Sequence, residues 1–182
     1  MGRHKRLLQI IIFIVILIIG AFTIITNLSS KGTEIPKIGS TAPDFTLLGL
    51  DGNKVQFNDV AKGKIIVLNF WGTFCPPCKA EMPALQAQYD KWKSQDIEIY
   101  GINQDSSRIT AQRFLEQYNI HFPSLHDNDQ VALKMYGVRE FPTTFFIGAD
   151  GIVKEINIGE MSEDYMEKTL SRLVSERQEG SK

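Results

Sequence analysis

The segment KIIVLNF, Lys64 to Phe70, constrains the fold of this chain more than any other. A continuous apolar run of strand length belongs to a strand covered on both faces, in the middle of a sheet with helices on either side. After a short turn, Met82, Leu85, Tyr89 and Trp92 recur at three- and four-residue spacing, which predicts a helix from Pro76 to about Gln95. IEIYGIN, Ile97 to Asn103, reads as the next strand. The three elements make a β-α-β unit whose strands should be parallel, with a right-handed crossover.

The flanking sequence extends this alternation. FTLLGLDGNKVQF, Phe45 to Phe57, is two short apolar runs around Asp51-Gly52 and predicts a hairpin. ITAQRFLEQY (Ile109 to Tyr118) and QVALKMY (Gln130 to Tyr136) read as helices, and NIHFPSLHDND between them as a loop with one short strand. TTFFI (Thr143 to Ile147), the turn Asp150-Gly151 and IVKEINIG (Ile152 to Gly159) form a second hairpin. Ser162 is placed as an N-cap with Glu163 and Asp164 in the first turn, where acids suit the helix dipole, and this last helix should run to about Arg177. There is no internal repeat or low-complexity segment. The pattern predicts an α/β fold: one mixed sheet with helices on both faces.

Ahead of this domain, LLQIIIFIVILIIGAFTII runs from Leu7 to Ile25 behind a basic stub containing Arg3, Lys5 and Arg6. As a helix it would span roughly 28 Å, about the hydrocarbon thickness of a bilayer. A cleaved signal peptide has a shorter apolar region and a small-x-small site, which is not evident here. The expectation is a single-pass signal-anchor: cytoplasmic N-terminus and transmembrane helix at 1–26, a Ser-, Gly-, Pro- and Lys-containing linker at 27–37, a domain at 38–178 outside the cytoplasm, and a tail at 179–182. Beyond the three basic residues of the stub, 17 bases face 21 acids, and no basic patch is interleaved with aromatics, so nucleic acid is not expected as a partner.

The chain has two cysteines, Cys75 and Cys78. Their spacing alone leaves three readings: a disulfide pair, half of a metal site, or a nucleophile with a bystander. Their place at the start of a helix adds chemistry. The helix dipole and free N–H groups stabilise a thiolate on Cys75, Cys78 lies one turn on along the same face, and Pro76 sits where no intrahelical N–H bond is lost. An exposed, partly ionised attacking thiol with a resolving thiol in reach is what thiol–disulfide exchange needs. Zinc needs about four ligands. The remaining donors, His4, His121 and His126, are too far from the pair in sequence for a compact site.

The block NFWGTFCPPC, the helix after it and the later YGVREFPTTFFI resemble the thioredoxin fold, and within it the membrane-anchored, extracytoplasmic ResA/TlpA/CcmG-like reductases, the ResA-like members above all. The resemblance covers roughly Lys37 to Leu173, including TAPDFTLLGLDG (an N-terminal hairpin) and a central insertion before the FPTT motif. It implies a redox-active Cys75–Cys78 disulfide, no metal or organic cofactor, and a cis bond before Pro142. It also implies substrate contacts at Trp71, Pro76, Pro77, Phe141, Pro142 and Thr143. By the same resemblance the substrate is the haem-binding C-x-x-C-H disulfide of apocytochrome c, with electrons resupplied by a CcdA-like membrane protein. Sporulation-linked relatives reduce other exported targets, such as cell-wall assembly proteins.

Two positions depart from the thioredoxin pattern. Asn69 stands where thioredoxin has a buried aspartate; Glu81, one turn beyond Cys78, matches a glutamate of the ResA-like proteins, and that resemblance implies it as the substitute proton carrier. Phe74 replaces the usual tryptophan, a change expected to alter packing and not mechanism. Neither Pro76 nor Pro77 has an N–H for the Cys75 sulfur, so the Cys78 N–H and the dipole remain, which predicts a reductant. Three rivals fit less well. A Sco-like copper chaperone uses C-x3-C. Peroxiredoxins need P-x3-T-x2-C, where this chain has Leu68 and Gly72. A non-catalytic binding module would leave the pair without turnover.

Overall fold

The computed structural model describes residues 9, 12–21 and 35–180. The chain divides into two compact units, Met1–Glu34 and Ile35–Lys182. In the first, residues 9 and 12–21 are helical and the side chains from Ile12 to Ile19 are exposed. Among the described residues no helix is long and apolar enough to cross a membrane. The expected span, Leu7 to Ile25, lies partly outside the described residues, as do most of the expected linker and the last two residues of the tail.

The second unit is built on one seven-stranded sheet. Its strands are β1 (Thr46–Gly49), β2 (Lys54–Gln56), β3 (Ile65–Trp71), β4 (Ile97–Asn103), β5 (Ser124–His126), β6 (Thr143–Ile147) and β7 (Val153–Ile158), in the order β2-β1-β5-β4-β3-β6-β7. The helices are α1 (Phe57–Ala61), α2 (Pro76–Trp92), α3 (Arg108–Gln117), α4 (Val131–Tyr136) and α5 (Glu163–Gly180). Strands β3, β4 and β5 run parallel, and β6 and β7 complete one side antiparallel. The β1–β2 hairpin turns at Gly52, whose φ of 92° suits glycine, and β1 joins β5 antiparallel.

Every residue of β3 is buried, as its unbroken apolar run requires. Ile65, Val67 and Trp71 face a core shared with α2, α3 and α5, including Met82, Leu85, Phe114 and Leu170. Ile66, Leu68 and Phe70 face the opposite core, with Phe57 of α1 and Ala132 and Tyr136 of α4. Each such side chain contributes about 1.5–3 kcal/mol by leaving water, so the strand anchors both layers. Asn69 is its one polar residue, and it lies on the α2 side with Ile65, Val67 and Trp71 by the alternation of a strand.

Three differences from the sequence expectation have local causes. The second hairpin strand stops at Gln56 and the chain turns into α1, because Asp44 Oδ1 accepts the Asn58 N–H (3.0 Å) and Phe57 stacks on Phe45 with ring centroids 4.9 Å apart. Helix α2 ends at Trp92 and passes into a 3-10 turn, Lys93–Gln95, before Asp96 adopts a left-handed conformation. Helix α5 continues past Arg177 to Gly180, supported by the Arg172–Glu176 pair and by Arg177 donating to the Gln95 carbonyl at 3.0 Å. Its start matches expectation: Ser162 Oγ accepts the Tyr165 N–H at 3.2 Å.

Candidate active site

Strand β3 delivers the chain to the C-terminal edge of the parallel strands, where the Trp71 carbonyl accepts the Gln104 N–H at 2.9 Å. The following turn is held by Asp105, just beyond β4. Its carboxylate accepts the Thr73 N–H (3.2 Å), the Thr73 hydroxyl (2.7 Å) and Asn103 Nδ2 (2.7 Å). The Cys75 N–H closes the turn on the Gly72 carbonyl at 3.1 Å. Cys75 is then the extended N-cap of α2, and Pro76 and Pro77 open the helix.

Cys75 and Cys78 form a disulfide, with Cα atoms 5.3 Å apart. The Cys78 N–H donates to Cys75 Sγ at 3.2 Å, while the two prolines have no N–H to add. Cys75 retains 6% of its surface and Cys78 none. Cys75 is thus less open than the sequence suggested. It is still the more accessible of the two.

The other half of the site comes from the start of β6. The Phe141–Pro142 bond is cis. Thr143 Oγ1 donates to the Glu140 carbonyl at 2.7 Å, and the Pro142 carbonyl accepts the Gly159 N–H at 2.8 Å. Phe141 is half-buried, and its ring meets Phe74 edge-on with centroids 5.7 Å apart. Phe74 is 59% exposed, so the replacement of tryptophan lies at the rim of the site and not in the core.

Behind the disulfide is a buried polar group. Glu81 is 1% exposed; its Oε1 accepts from Asn69 Nδ2 at 2.7 Å and its Oε2 from the Met161 N–H at 3.1 Å. Asn69 Nδ2 also donates to Thr144 Oγ1 at 2.9 Å. Burial pushes the Glu81 carboxyl up from 4.5 to about 7, against the lowering effect of those two donors, and the Glu160 charge adds to the rise. A carboxyl poised there takes or gives a proton at neutral pH, as acid–base work requires.

The other expected contacts divide by exposure. Pro76 is exposed and Pro77 and Phe141 are half-buried, whereas Pro142 and Thr143 are buried. Trp71 has no exposed surface: its indole packs on Phe114 at 5.5 Å, so it backs the site from the core and is not a surface contact in this state. His121 is bonded to Asn119 Oδ1 and His126 to the Asp105 carbonyl. Sequence reasoning missed Asp105, Thr144 and Met161. Asp105 had a signal, an acid just past the end of a parallel strand, and so did Thr144, the last residue of FPTT. Met161 contributes only its backbone, which leaves no mark in sequence.

The AhpC/TSA family model matches residues 38–156. The chain is 36% identical over 174 residues to the thiol-disulfide oxidoreductase ResA of Geobacillus kaustophilus, covering 95% of this chain and 99% of that protein. The chain belongs to the AhpC/TSA family of thioredoxin-like proteins. It is a thiol-disulfide oxidoreductase of the ResA-like kind. Among solved structures it is similar to a putative thiol:disulfide interchange protein DsbE of Chlorobium tepidum, with TM-score 0.71 and 28% identity over 76% of this chain and 99% of that one. It is also similar to StoA of Bacillus subtilis, with TM-score 0.61 and 25% identity over 70% of this chain and 96% of that one. Leu68 and Gly72 occupy the positions a peroxidatic cysteine motif would need, so membership does not bring that motif with it.

Proposed function

We propose that this chain reduces protein disulfides outside the cytoplasm and that its substrate is the haem-binding C-x-x-C-H disulfide of an apocytochrome c. The observation that supports reduction is the single Cys78 N–H on the Cys75 sulfur, with two prolines where other donors would stand. A thiolate with few donors is a poorer leaving group, which favours the disulfide form of the protein and a reducing potential.

The steps balance on this chain's own residues. In the reduced protein the Cys75 thiolate attacks one substrate sulfur, forming a mixed disulfide and releasing the other sulfur as a thiolate that takes up a proton. Cys78, its proton passed to Glu81, then attacks Cys75. The second substrate sulfur leaves and is protonated, and the Cys75–Cys78 disulfide is formed. Two electrons and two protons go to the substrate; no metal or organic cofactor enters. Pro76, Pro77, Phe141, Pro142 and Thr143 form the docking side. A CcdA-like membrane protein returns the electrons, and the N-terminal apolar run holds the domain to the outer face of the cell membrane.

A second reading keeps this chemistry on another exported protein of sporulation or cell-wall assembly. The structural likeness to StoA, weaker in sequence than that to ResA, supports keeping it. Trapping with a Cys78→Ser variant tests both. Apocytochrome c joined through Cys75 is the expected adduct. Adducts with other exported proteins and none with apocytochrome c would move the function to the second reading. A strongly oxidising potential, near that of DsbA, would defeat reduction altogether.

A further inference from the structure

Position 69 no longer carries a base, yet its side chain is completely buried and fully oriented. Both hydrogen bonds of Asn69 leave from Nδ2, one to Glu81 Oε1 on α2 and one to Thr144 Oγ1 on β6, the strand that follows Pro142. Residues 69 and 144 are direct partners in the β3–β6 register, so the three groups are held by two strands and a helix. If the amide turned over, its oxygen would face the carboxylate, acceptor against acceptor. Thr144 Oγ1 favours the nitrogen-first orientation by taking the second N–H. The arrangement leaves Asn69 Oδ1 buried without a hydrogen-bond partner among the described residues, so this orientation is held by the two Nδ2 bonds and not by the amide oxygen.

The groups that face Glu81 come from every element around it. Asn69 lies on β3, with Thr144 of β6 acting through it. The Met161 N–H and the Glu160 carboxylate come from the segment before α5, and Cys78 is one turn back on α2. Glu160 opposes ionisation, and the two N–H donors favour it.

We propose that Asn69 is the positioning residue that sets the proton affinity of Glu81, with Thr144 holding the Asn69 amide the right way round. Burial without that donor would keep the carboxyl protonated well above neutral pH, and Glu81 would then be unable to accept the Cys78 proton. The inference rests on the reading that Glu81 moves the Cys78 proton.

The test is a pH titration of the Glu81 side-chain carboxyl by carbon NMR on the full chain, the resonance being assigned by its loss in Glu81→Gln. The wild-type midpoint should fall at about 7. Asn69→Leu should raise it by about one unit or more, because a hydrogen bond to a charged group is lost. Thr144→Val should raise it by less, and Thr144→Ser, which keeps the hydroxyl, should restore the wild-type value. If Asn69→Leu does not fold, the valine and serine pair carries the test. An unmoved midpoint in Asn69→Leu, or in Thr144→Val where only the pair can be measured, overturns the proposal. The pH profile of disulfide reduction separates the two layers. If Glu81→Gln keeps the wild-type profile, the proton-transfer reading fails. If it changes the profile while the Asn69 and Thr144 variants leave the midpoint in place, only the present inference fails.

Discussion

At the scale of single residues, the burial of Glu81 makes stability depend on pH. Its carboxyl rises from 4.5 in the unfolded chain to about 7 in the fold, so folding favours its protonated form. The sign follows: the contribution is full below pH 4.5, declines as pH rises, and is lost above about 7. The unfolding free energy of Glu81→Gln relative to wild type should therefore grow between those values and flatten above them, by at most about 3 kcal/mol. Denaturant titrations across that range read it directly, and a flat difference would contradict the burial argument. Phe74 gives a second expectation. As an exposed ring against Phe141, it should matter for docking and little for folding. Phe74→Ala should raise KM for a protein disulfide by about threefold to tenfold. It should leave a small-molecule disulfide unaffected and change stability by less than about 1 kcal/mol. Steady-state kinetics on the two substrates make the comparison. Glu81 and Phe141 were named only through the family resemblance, whereas the cysteines were legible from their spacing at a helix start. The exposure of Phe74 was not, since it depends on a ring 67 positions away.

Between single residues and the whole molecule lie the joints of the elements. The turn that presents Cys75 is fastened by a carboxylate from another strand end: Asp105 accepts both the N–H and the hydroxyl of Thr73. Asp105→Ala should cost about 2–4 kcal/mol, since it strands buried donors. It should also speed hydrogen exchange at the Thr73 amide, which exchange mass spectrometry or NMR will show; protection unchanged from wild type would remove the clamp. Long elements such as β3, α2 and β4 were readable because their apolar periods persist over many residues. Helix α1 was not. Its first turn is satisfied by Asp44, from the segment before β1, so local sequence gave only the end of a strand. Asp127 does the same for α4, accepting the N–H groups of Val131, Ala132 and Leu133. Helices of five or six residues owe much to such borrowed caps; of these two, α4 was nonetheless legible, since QVALKMY reads as a helix, and α1 was not.

For the molecule as a whole, the division at Glu34 and the two cores on either side of β3 lead us to expect that Ile35–Lys182 folds on its own. Removing residues 1–34 should leave the denaturation midpoint of the domain unchanged and its rate of insulin reduction within about twofold. A large loss of cooperativity would show that the N-terminal unit contributes to the domain. The β-α-β centre and the mixed sheet were legible, because alternation of strand and helix signals restricts the layers that can form. The order in which β1 and β5 join was not, because a three-residue strand carries too little pattern.

The pairing of β3 with β6, and the Met161 N–H on Glu81, also bear on how the protein is made. The ribosome releases Cys75, Cys78 and Glu81 well before Thr144 and Met161. A growing chain therefore carries both thiols and a carboxyl without the strand and the amide that discipline them. It can exchange disulfides with whatever it meets, but it cannot yet choose. With Phe141 to Thr143 as the docking side proposed above, discrimination is expected to arrive with the C-terminal segment, and a truncated product to be a promiscuous thiol and not simply an inactive one.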